Sequence, residues 1–126
     1  MAEVHDPVMV AEAVDALGCR PGGLWVDATV GAGGHAAAIL ERTAPDGFLI
    51  GIDRDREILA LADRRLAPHA GRYSLVHATF GRLGEVVSAA GRGPADGVLV
   101  DLGLSSLQLD DADRGFSFRA DAPLDM

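Results

Sequence analysis

The segment that most restricts the fold of this chain is a glycine-rich turn that separates an apolar run from a helix-forming run. Residues 24–28 have the pattern of a strand, residues 31–34 contain three glycines, and residues 35–42 have the pattern of a helix. A second apolar run ends on Asp53, about twenty residues beyond the glycines, where the second strand of a doubly wound sheet brings a carboxylate to a ribose 2′-hydroxyl. The sequence therefore predicts a pocket for a cofactor that carries a nucleoside.

Two classes of cofactor fit this turn. Gly31, Gly33 and Ala36 match the G-x-G-x-x-A pattern of dinucleotide sites, in which a pyrophosphate lies at the helix N-terminus. The preceding strand, however, carries Asp27 at its end, and this carboxylate would repel a diphosphate and attract the ammonium and sulfonium groups of S-adenosyl-L-methionine. The charges favour S-adenosyl-L-methionine, and an NAD-dependent oxidoreductase built on the same strand, turn and helix remains the alternative.

Helix and strand patterns alternate along the chain. We predict helices at residues 7–17, 35–42, 55–66 and 83–90, and strands at residues 24–28, 48–53, 73–77 and 97–102. Asp55 is expected to cap the third helix, whose inward-facing residues are predicted to be Ile58, Leu61, Ala62 and Leu66. The alternation is typical of an α/β fold with right-handed crossovers, so we predict a Rossmann-like core with a parallel sheet in the order 3-2-1-4.

The fourth strand raises the question of what covers it. Val98, Leu99 and Val100 are continuously apolar, as in a strand that is buried on both faces. In the order 3-2-1-4 this strand would be an edge, and an exposed apolar edge is a liability that proteins avoid. Residues 103–126 predict no further strand or helix. We therefore expect the chain to be the N-terminal part of a longer protein that supplies more strands.

Composition and charge limit the function. A chain of 126 residues suits one small domain, and 48% of its residues are hydrophobic, which is ample for a core. No apolar run is long enough for a membrane span, and a single cysteine, Cys19, fits a reducing cytoplasm. The net charge of −8 argues against binding nucleic acid over the whole surface, so any RNA contact would be local. No metal is expected, because none of the four histidines has the spacing of a ligand: His5, His35, His69 and His77.

Six motifs follow one another in the chain, and the later ones are more specific than the glycine-rich turn. They are His5-x-Pro7-Val8-Met9, Asp27-Ala28-Thr29-x-Gly31-x-Gly33-Gly34-His35, Gly51-x-Asp53-Arg54-Asp55, Asp101-Leu102-Gly103-x-Ser105-Ser106-x-Gln108-Leu109-Asp110, Arg114-Gly115-Phe116-Ser117-Phe118 and Pro123-Leu124-Asp125-Met126. With them the chain resembles, over essentially its whole length, the bacterial 16S rRNA (cytosine-N4)-methyltransferase family. Members of that family are longer and carry a helical domain inserted into the methyltransferase core.

The resemblance implies a domain layout, an activity and a set of site residues. Residues 1–102 would be the N-terminal part of an incomplete S-adenosylmethionine-dependent methyltransferase core, and residues 103–126 an active-site loop that leads toward the inserted domain. The implied activity is methylation of the N4 amino group of a cytidine in the decoding region of 16S rRNA, with the small ribosomal subunit as partner, in the cytoplasm. The implied cofactor-binding residues are Gly33, Gly34, His35, Asp53, Phe80, Asp101 and Gln108.

Some of these residues have a catalytic or an alternative explanation. Asp101 ends the fourth strand at the carboxyl edge of the sheet, where ligands bind, and is the best candidate for a catalytic hydrogen-bond acceptor, with a main-chain carbonyl of Leu102 or Gly103 as the alternative. His35 would also serve as a capping or packing residue, and Phe80 as a core residue. Positive charges and aromatic rings alternate in one short segment, at Arg114, Phe116, Phe118 and Arg119. This pattern suits binding of single-stranded RNA, and it equally suits packing of the segment onto the inserted domain. A non-catalytic module that only binds a cofactor or partner is a third possibility for the chain.

Overall fold

The helices and strands follow the predicted order closely. The computed structural model describes residues 7–101 and 119–120. The elements are α1 (Pro7–Leu17), β1 (Leu24–Asp27), α2 (Gly34–Arg42), β2 (Phe48–Asp53), α3 (Arg56–Leu66), β3 (Tyr73–His77), α4 (Leu83–Ala90), β4 (Gly97–Val100) and β5 (Arg119–Ala120), with short 3-10 helices at Ala67–His69 and Phe80–Arg82. No boundary of a predicted helix or strand moves by more than two residues.

The strands form a parallel sheet in the order β3-β2-β1-β4-β5. The chain runs outward from β1 through β2 to β3 and then returns to place β4 on the other side of β1. The direction of winding therefore reverses between β1 and β4, which is the switch point at which open α/β sheets bind ligands. The predicted Rossmann-like parallel sheet and its order 3-2-1-4 are confirmed.

The prediction that residues 103–126 contain no further strand is wrong, because a short strand in that segment pairs with β4. Arg119 and Ala120 form β5, which pairs in parallel with Leu99 and Val100. The main chain of β4 therefore has a hydrogen-bonded neighbour on each side. Sequence patterns do not detect this strand, because two residues are too few to show alternation or an apolar run.

The third helix confirms one predicted feature and corrects another. Asp55 caps α3, since its Oδ1 accepts hydrogen bonds from the main-chain N–H groups of Glu57 at 2.9 Å and Ile58 at 3.3 Å. Leu61, which was expected to face inward, is 45% exposed. Leu59 packs against the core in its place, together with the buried Ala62 and Leu66. Residues 59, 62 and 66 are three and four apart, so they share one face of the helix.

Both faces of the sheet carry a hydrophobic core. The face toward α1, α2 and α3 is packed by a first cluster: Val14, Leu17, Trp25, Val30, Ala36, Ile39, Leu40, Leu49, Ala62, Leu66 and Leu99. The opposite face, toward α4, is packed by a second cluster: Leu24, Val26, Ala28, Ile50, Ile52, Leu83, Val98 and Val100. All four residues of β1 and all four of β4 are buried. This two-sided burial explains why these strands are continuously apolar.

The structure also bears on the predictions about membrane spans and about Cys19. Among the described residues, none of the helices is both long and apolar enough to span a membrane. Cys19 packs against the first core cluster, and burial raises the pKa of its thiol to about 11. At neutral pH this cysteine is therefore a protonated packing residue.

We predict that Gly51→Ala lowers the free energy of unfolding by about 1–3 kcal/mol, the usual cost of overfilling a packed interior. A Cβ at position 51 would lie 2.8 Å from Leu75 Cδ2 and 3.0 Å from Val30 Cγ2. Ser74→Ala, at an exposed position on β3, is the control, with an expected change within about 0.5 kcal/mol. Urea denaturation of the intact protein measures both, and equal midpoints for the two variants would contradict the tight packing.

Candidate functional site

Three aspartates end neighbouring strands at the carboxyl edge of the sheet. Asp27 closes β1, Asp53 closes β2, and Asp101 follows β4 directly. The parallel register places Asp27 level with Leu99 on β4 and with Gly51 on β2, so that Asp53 and Asp101 each lie two residues farther toward the same edge. The structure therefore brings Asp53 and Asp101 to corresponding heights on either side of β1.

The glycine-rich turn rises from this edge with a conformation that requires glycine. Gly31 has φ +55° and Gly33 has φ +98°, in the left-handed region that side chains disfavour. Gly33 precedes the first turn of α2, so Gly34 and His35 are the first two residues of the helix. The N–H groups of a first helical turn lack partners within the helix and carry partial positive charge. The turn therefore brings the positive end of α2 to the edge that holds the aspartates.

Asp53 holds the turn to β2 through its own side chain. Its Oδ2 accepts a hydrogen bond from the Gly31 N–H at 2.9 Å, and its Oδ1 accepts one from the Asp55 N–H at 3.0 Å. A main-chain bond from the Val30 N–H to the carbonyl of Ile52, at 2.8 Å, adds to this connection. The half-buried carboxylate thus stands between the glycine-rich turn and the start of α3.

Asp27 is buried where the sequence argument placed a negative charge. It is 1% exposed, and its Oδ1 accepts a hydrogen bond from the Thr29 N–H at 3.2 Å. Charges interact strongly in such a poorly solvated position, because the surrounding dielectric constant is low. The preference for a cationic ligand that the sequence suggested is therefore compatible with the position of Asp27.

Phe80 lies near the same edge and makes the contacts of a packing residue. It begins the 3-10 helix after β3, is half-buried, and packs against the second core cluster. The Ala78 N–H donates to the carbonyl of Asp53 at 3.0 Å, which ties the end of β3 to the end of β2. The core-packing explanation of Phe80 thus has support, and its contact with an adenine stays a prediction.

Several predicted residues lie outside the described part of the chain. They are Gln108 of the serine motif, the RNA candidates Arg114, Phe116 and Phe118, the side chain of Arg119, and His5. The division of the chain at residue 102 depends on the same region and also stays a prediction.

Sequence reasoning missed two features of this edge. The Thr29 hydroxyl accepts a hydrogen bond from the Asp101 N–H at 2.7 Å, and only the strand register brings these distant residues together. A cavity of about 790 Å³ lies between β3 and α4, with Arg54, Thr79 and Arg82 among its lining residues. No periodicity in the sequence predicts such a gap. Among the described residues, no group of three His, Cys, Asp or Glu side chains is arranged to hold a metal ion.

The chain is similar in sequence to one family of methylases. The model of the MraW methylase family matches residues 2–126. The Ribosomal RNA small subunit methyltransferase H of Symbiobacterium thermophilum is 52% identical over 126 residues, which make up 100% of this chain and 40% of that protein. The chain therefore spans less than half the length of this relative.

Solved methyltransferases share the fold at low sequence identity. An S-adenosylmethionine-dependent O-methyltransferase from Thermotoga maritima has a TM-score of 0.65 and 16% identity, over 80% of this chain and 37% of its own. A methyltransferase from Thiobacillus denitrificans, solved in complex with S-adenosyl-L-homocysteine, has a TM-score of 0.58 and 20% identity, over 79% of this chain and 39% of its own. The fold is thus the Rossmann-like fold of S-adenosylmethionine-dependent methyltransferases.

We predict that Gly33→Ala weakens binding of S-adenosyl-L-homocysteine to the intact protein by roughly tenfold or more. Alanine disfavours the left-handed conformation that Gly33 adopts, so the turn must change its shape. The added Cβ would meet Ala62 at 3.5 Å, an ordinary contact, so backbone strain is the main cost. Gly91→Ala is the matched control, since Gly91 has φ +68° with open space around it and lies at the end of α4. Calorimetric titration and urea denaturation of both variants check this. Equal loss of stability is expected, and an equal loss of affinity would contradict a role for the turn in binding.

Proposed function

The chain belongs to the MraW methylase family, and on this basis we propose that the protein transfers a methyl group from S-adenosyl-L-methionine to the N4 amino group of a cytidine in the decoding region of 16S rRNA. The observation that carries the proposal is 52% identity over the whole chain to a ribosomal RNA small subunit methyltransferase H. The proposed partner is 16S rRNA within the small ribosomal subunit, and the proposed compartment is the cytoplasm. Residues 1–102 would form part of the methyltransferase core, and residues 103–126 its active-site loop.

The charges at the carboxyl edge fit S-adenosyl-L-methionine. Each oxygen of Asp53 accepts one main-chain N–H, and a carboxylate oxygen can accept two, so Asp53 retains the capacity to bind ribose hydroxyls. The buried carboxylate of Asp27 suits the ammonium and sulfonium groups, because a nearby cation favours its ionised form. The N-terminus of α2 suits the carboxylate of the methionine part. Asp53, Asp27 and the N-terminus of α2 thus match the neutral, the cationic and the anionic groups of the ligand, in that order.

The remaining cofactor contacts in the proposal follow from position on the same edge. Gly33 and Gly34 allow the ligand to approach the main chain without a Cβ in the way. His35, in the first turn of α2, contacts the methionine part. Phe80 covers the adenine with the ring surface that the second core cluster leaves exposed. Gln108 completes the set by its position in the family motif.

The proposed methyl transfer requires alignment of the two reactants and a hydrogen-bond acceptor for the amino group. When bound, S-adenosyl-L-methionine supplies an activated methyl group, so the protein chiefly aligns the reactants and excludes water. The N4 amino group of cytosine is a weak nucleophile, because its lone pair is delocalised into the ring. An acceptor beside the amino N–H returns electron density to nitrogen. Asp101, at the switch point between β1 and β4, takes this role in the proposal, and the target base would leave its stack to reach it.

Calorimetric titration of the intact protein tests the cofactor. We expect saturable binding of S-adenosyl-L-homocysteine and no binding of NAD at the same concentrations, because a buried Asp27 opposes a diphosphate. A preference for NAD would replace the methyltransferase with an oxidoreductase. Failure to bind either ligand would also contradict the proposal.

Asp101→Asn tests the acceptor. We expect turnover at saturating cofactor and small subunits to fall by roughly 100-fold, within the range of a lost acid–base group, while affinity for S-adenosyl-L-homocysteine changes little. Asp63→Asn, the same chemical change on the exposed side of α3, is the control and should leave turnover unchanged. Turnover equal to that of the unsubstituted protein would remove Asp101 from catalysis, and a loss of cofactor affinity alone would make it a binding residue.

A further inference from the structure

Thr29 connects the two strands at the switch point by its side chain. The ladder between β1 and β4 includes a bond from the Ala28 N–H to the carbonyl of Leu99 at 2.8 Å. In a regular parallel ladder the next bond would run from the Asp101 N–H to the carbonyl of Ala28. Here the Asp101 N–H donates to Thr29 Oγ1 at 2.7 Å. The hydroxyl thus takes up the bond at the point where the two strands begin to separate.

Main-chain contacts hold Thr29 itself in place. Its N–H donates to Asp27 Oδ1 at 3.2 Å, and the N–H of the following residue, Val30, donates to the carbonyl of Ile52 at 2.8 Å. Val30 is also buried in the first core cluster. The position of the Thr29 hydroxyl is therefore set by β1, by β2 and by the packed start of the glycine-rich turn.

The main chain of Asp101 is held by this hydrogen bond, whereas the residues before it are held by strand pairing. The pairing of β4 with β1 ends at Leu99, and its pairing with β5 ends at Val100. Asp101 thus lies just beyond the last paired residue on each side. In the described part of the chain, the bond to Thr29 is what extends the order of the sheet to the main chain of Asp101.

We propose that Thr29 is a positioning residue for methyl transfer, whose hydroxyl fixes the main chain of Asp101 so that its carboxylate meets the amino group of the target base. This inference rests on the proposed function, since it assigns Thr29 a role only through Asp101. A misplacement of about 1 Å at a reacting group can lower a rate by 100-fold, so a single bond to the main chain is enough to matter. If Thr29 had a purely structural role, its substitution would not lower turnover more than it lowers cofactor affinity.

Two substitutions separate the hydroxyl from the shape of the side chain. Thr29→Val keeps the branched shape and removes the acceptor, whereas Thr29→Ser keeps the acceptor and removes a methyl group. We expect Thr29→Val to lower kcat by roughly 10- to 100-fold with little change in KM for S-adenosyl-L-methionine. Thr29→Ser should restore most of the turnover. Equal losses in the two variants, or a Thr29→Val whose kcat is unchanged, would overturn the proposal.

A double-mutant cycle tests whether Thr29 acts through Asp101. In the background of Asp101→Asn, the change Thr29→Val should cost less than threefold in kcat, because the group that it positions has already lost its function. Independent, multiplicative losses would overturn the proposal. If Thr29→Val does not fold, Thr29→Ala, which adds no bulk, replaces it in both backgrounds and is judged by the same outcomes.

The activity of the unsubstituted protein separates this proposal from the proposed function. Its methyl transfer to small ribosomal subunits is measured first, with radiolabelled S-adenosyl-L-methionine. No transfer would remove the proposed function together with the role of Thr29. Transfer that is insensitive to Thr29→Val would leave the proposed function intact and remove the role of Thr29 alone.

Discussion

The parallel pairing of β1 with a strand on each side is the constraint on which the candidate site depends. The register aligns Asp27 with Gly51 on β2 and with Leu99 on β4. Since parallel strands end at one edge, acidic residues placed two positions farther along β2 and β4 arrive there at matching heights. A shift of one residue in either pairing would turn one of these side chains to the other face of the sheet. The burial of β1 and β4 on both faces is what makes such a shift costly.

The glycine-rich turn and the hydrophobic core meet at Val30. Val30 is buried in the core and packs where Gly51 has no side chain, while the next residue, Gly31, donates its N–H to Asp53. The turn that would face the ligand is thus fixed from below by packing and from the side by a charged hydrogen bond. Such a site needs little reorganisation on binding, since its main chain is already held by the fold. The left-handed conformations of Gly31 and Gly33 persist because these surrounding contacts determine them.

Much of the architecture could be predicted from the sequence, because helices and strands with long apolar patterns can be recognised from the spacing of their apolar residues. The cap of α3 at Asp55 follows from a local signal, and the order of the first four strands follows from the alternation of helices and strands typical of an α/β fold. Errors arose where local signals are weak or compete. Leu59 and Leu61 both lie on α3, and only the packing against the sheet decides which of them is buried.

The parts of the site that escaped prediction are those made by residues distant in sequence. The bond between Thr29 and Asp101 joins residues that are 72 positions apart, and β5, which pairs with β4, has only two residues as its signal. The acids that end the strands could be predicted, because each follows directly from its own strand. The hydrogen bonds among the turn, Asp53 and Asp101 could not, since they require the three-dimensional register.

The distribution of charge at this edge explains how one fold can distinguish two nucleoside cofactors. A helix N-terminus alone favours any anion, so it would accept a pyrophosphate as well as an amino-acid carboxylate. Asp27 changes this balance, because the residue is 1% exposed and an ionised carboxylate there would be poorly screened by water. A ligand with one anionic group for the helix and cationic groups for the acids gains from both, whereas a diphosphate gains from the helix and loses to the acid. In the proposed function, the choice between the cofactors thus depends on Asp27, which ends β1, more than on the glycine pattern that both classes of site share.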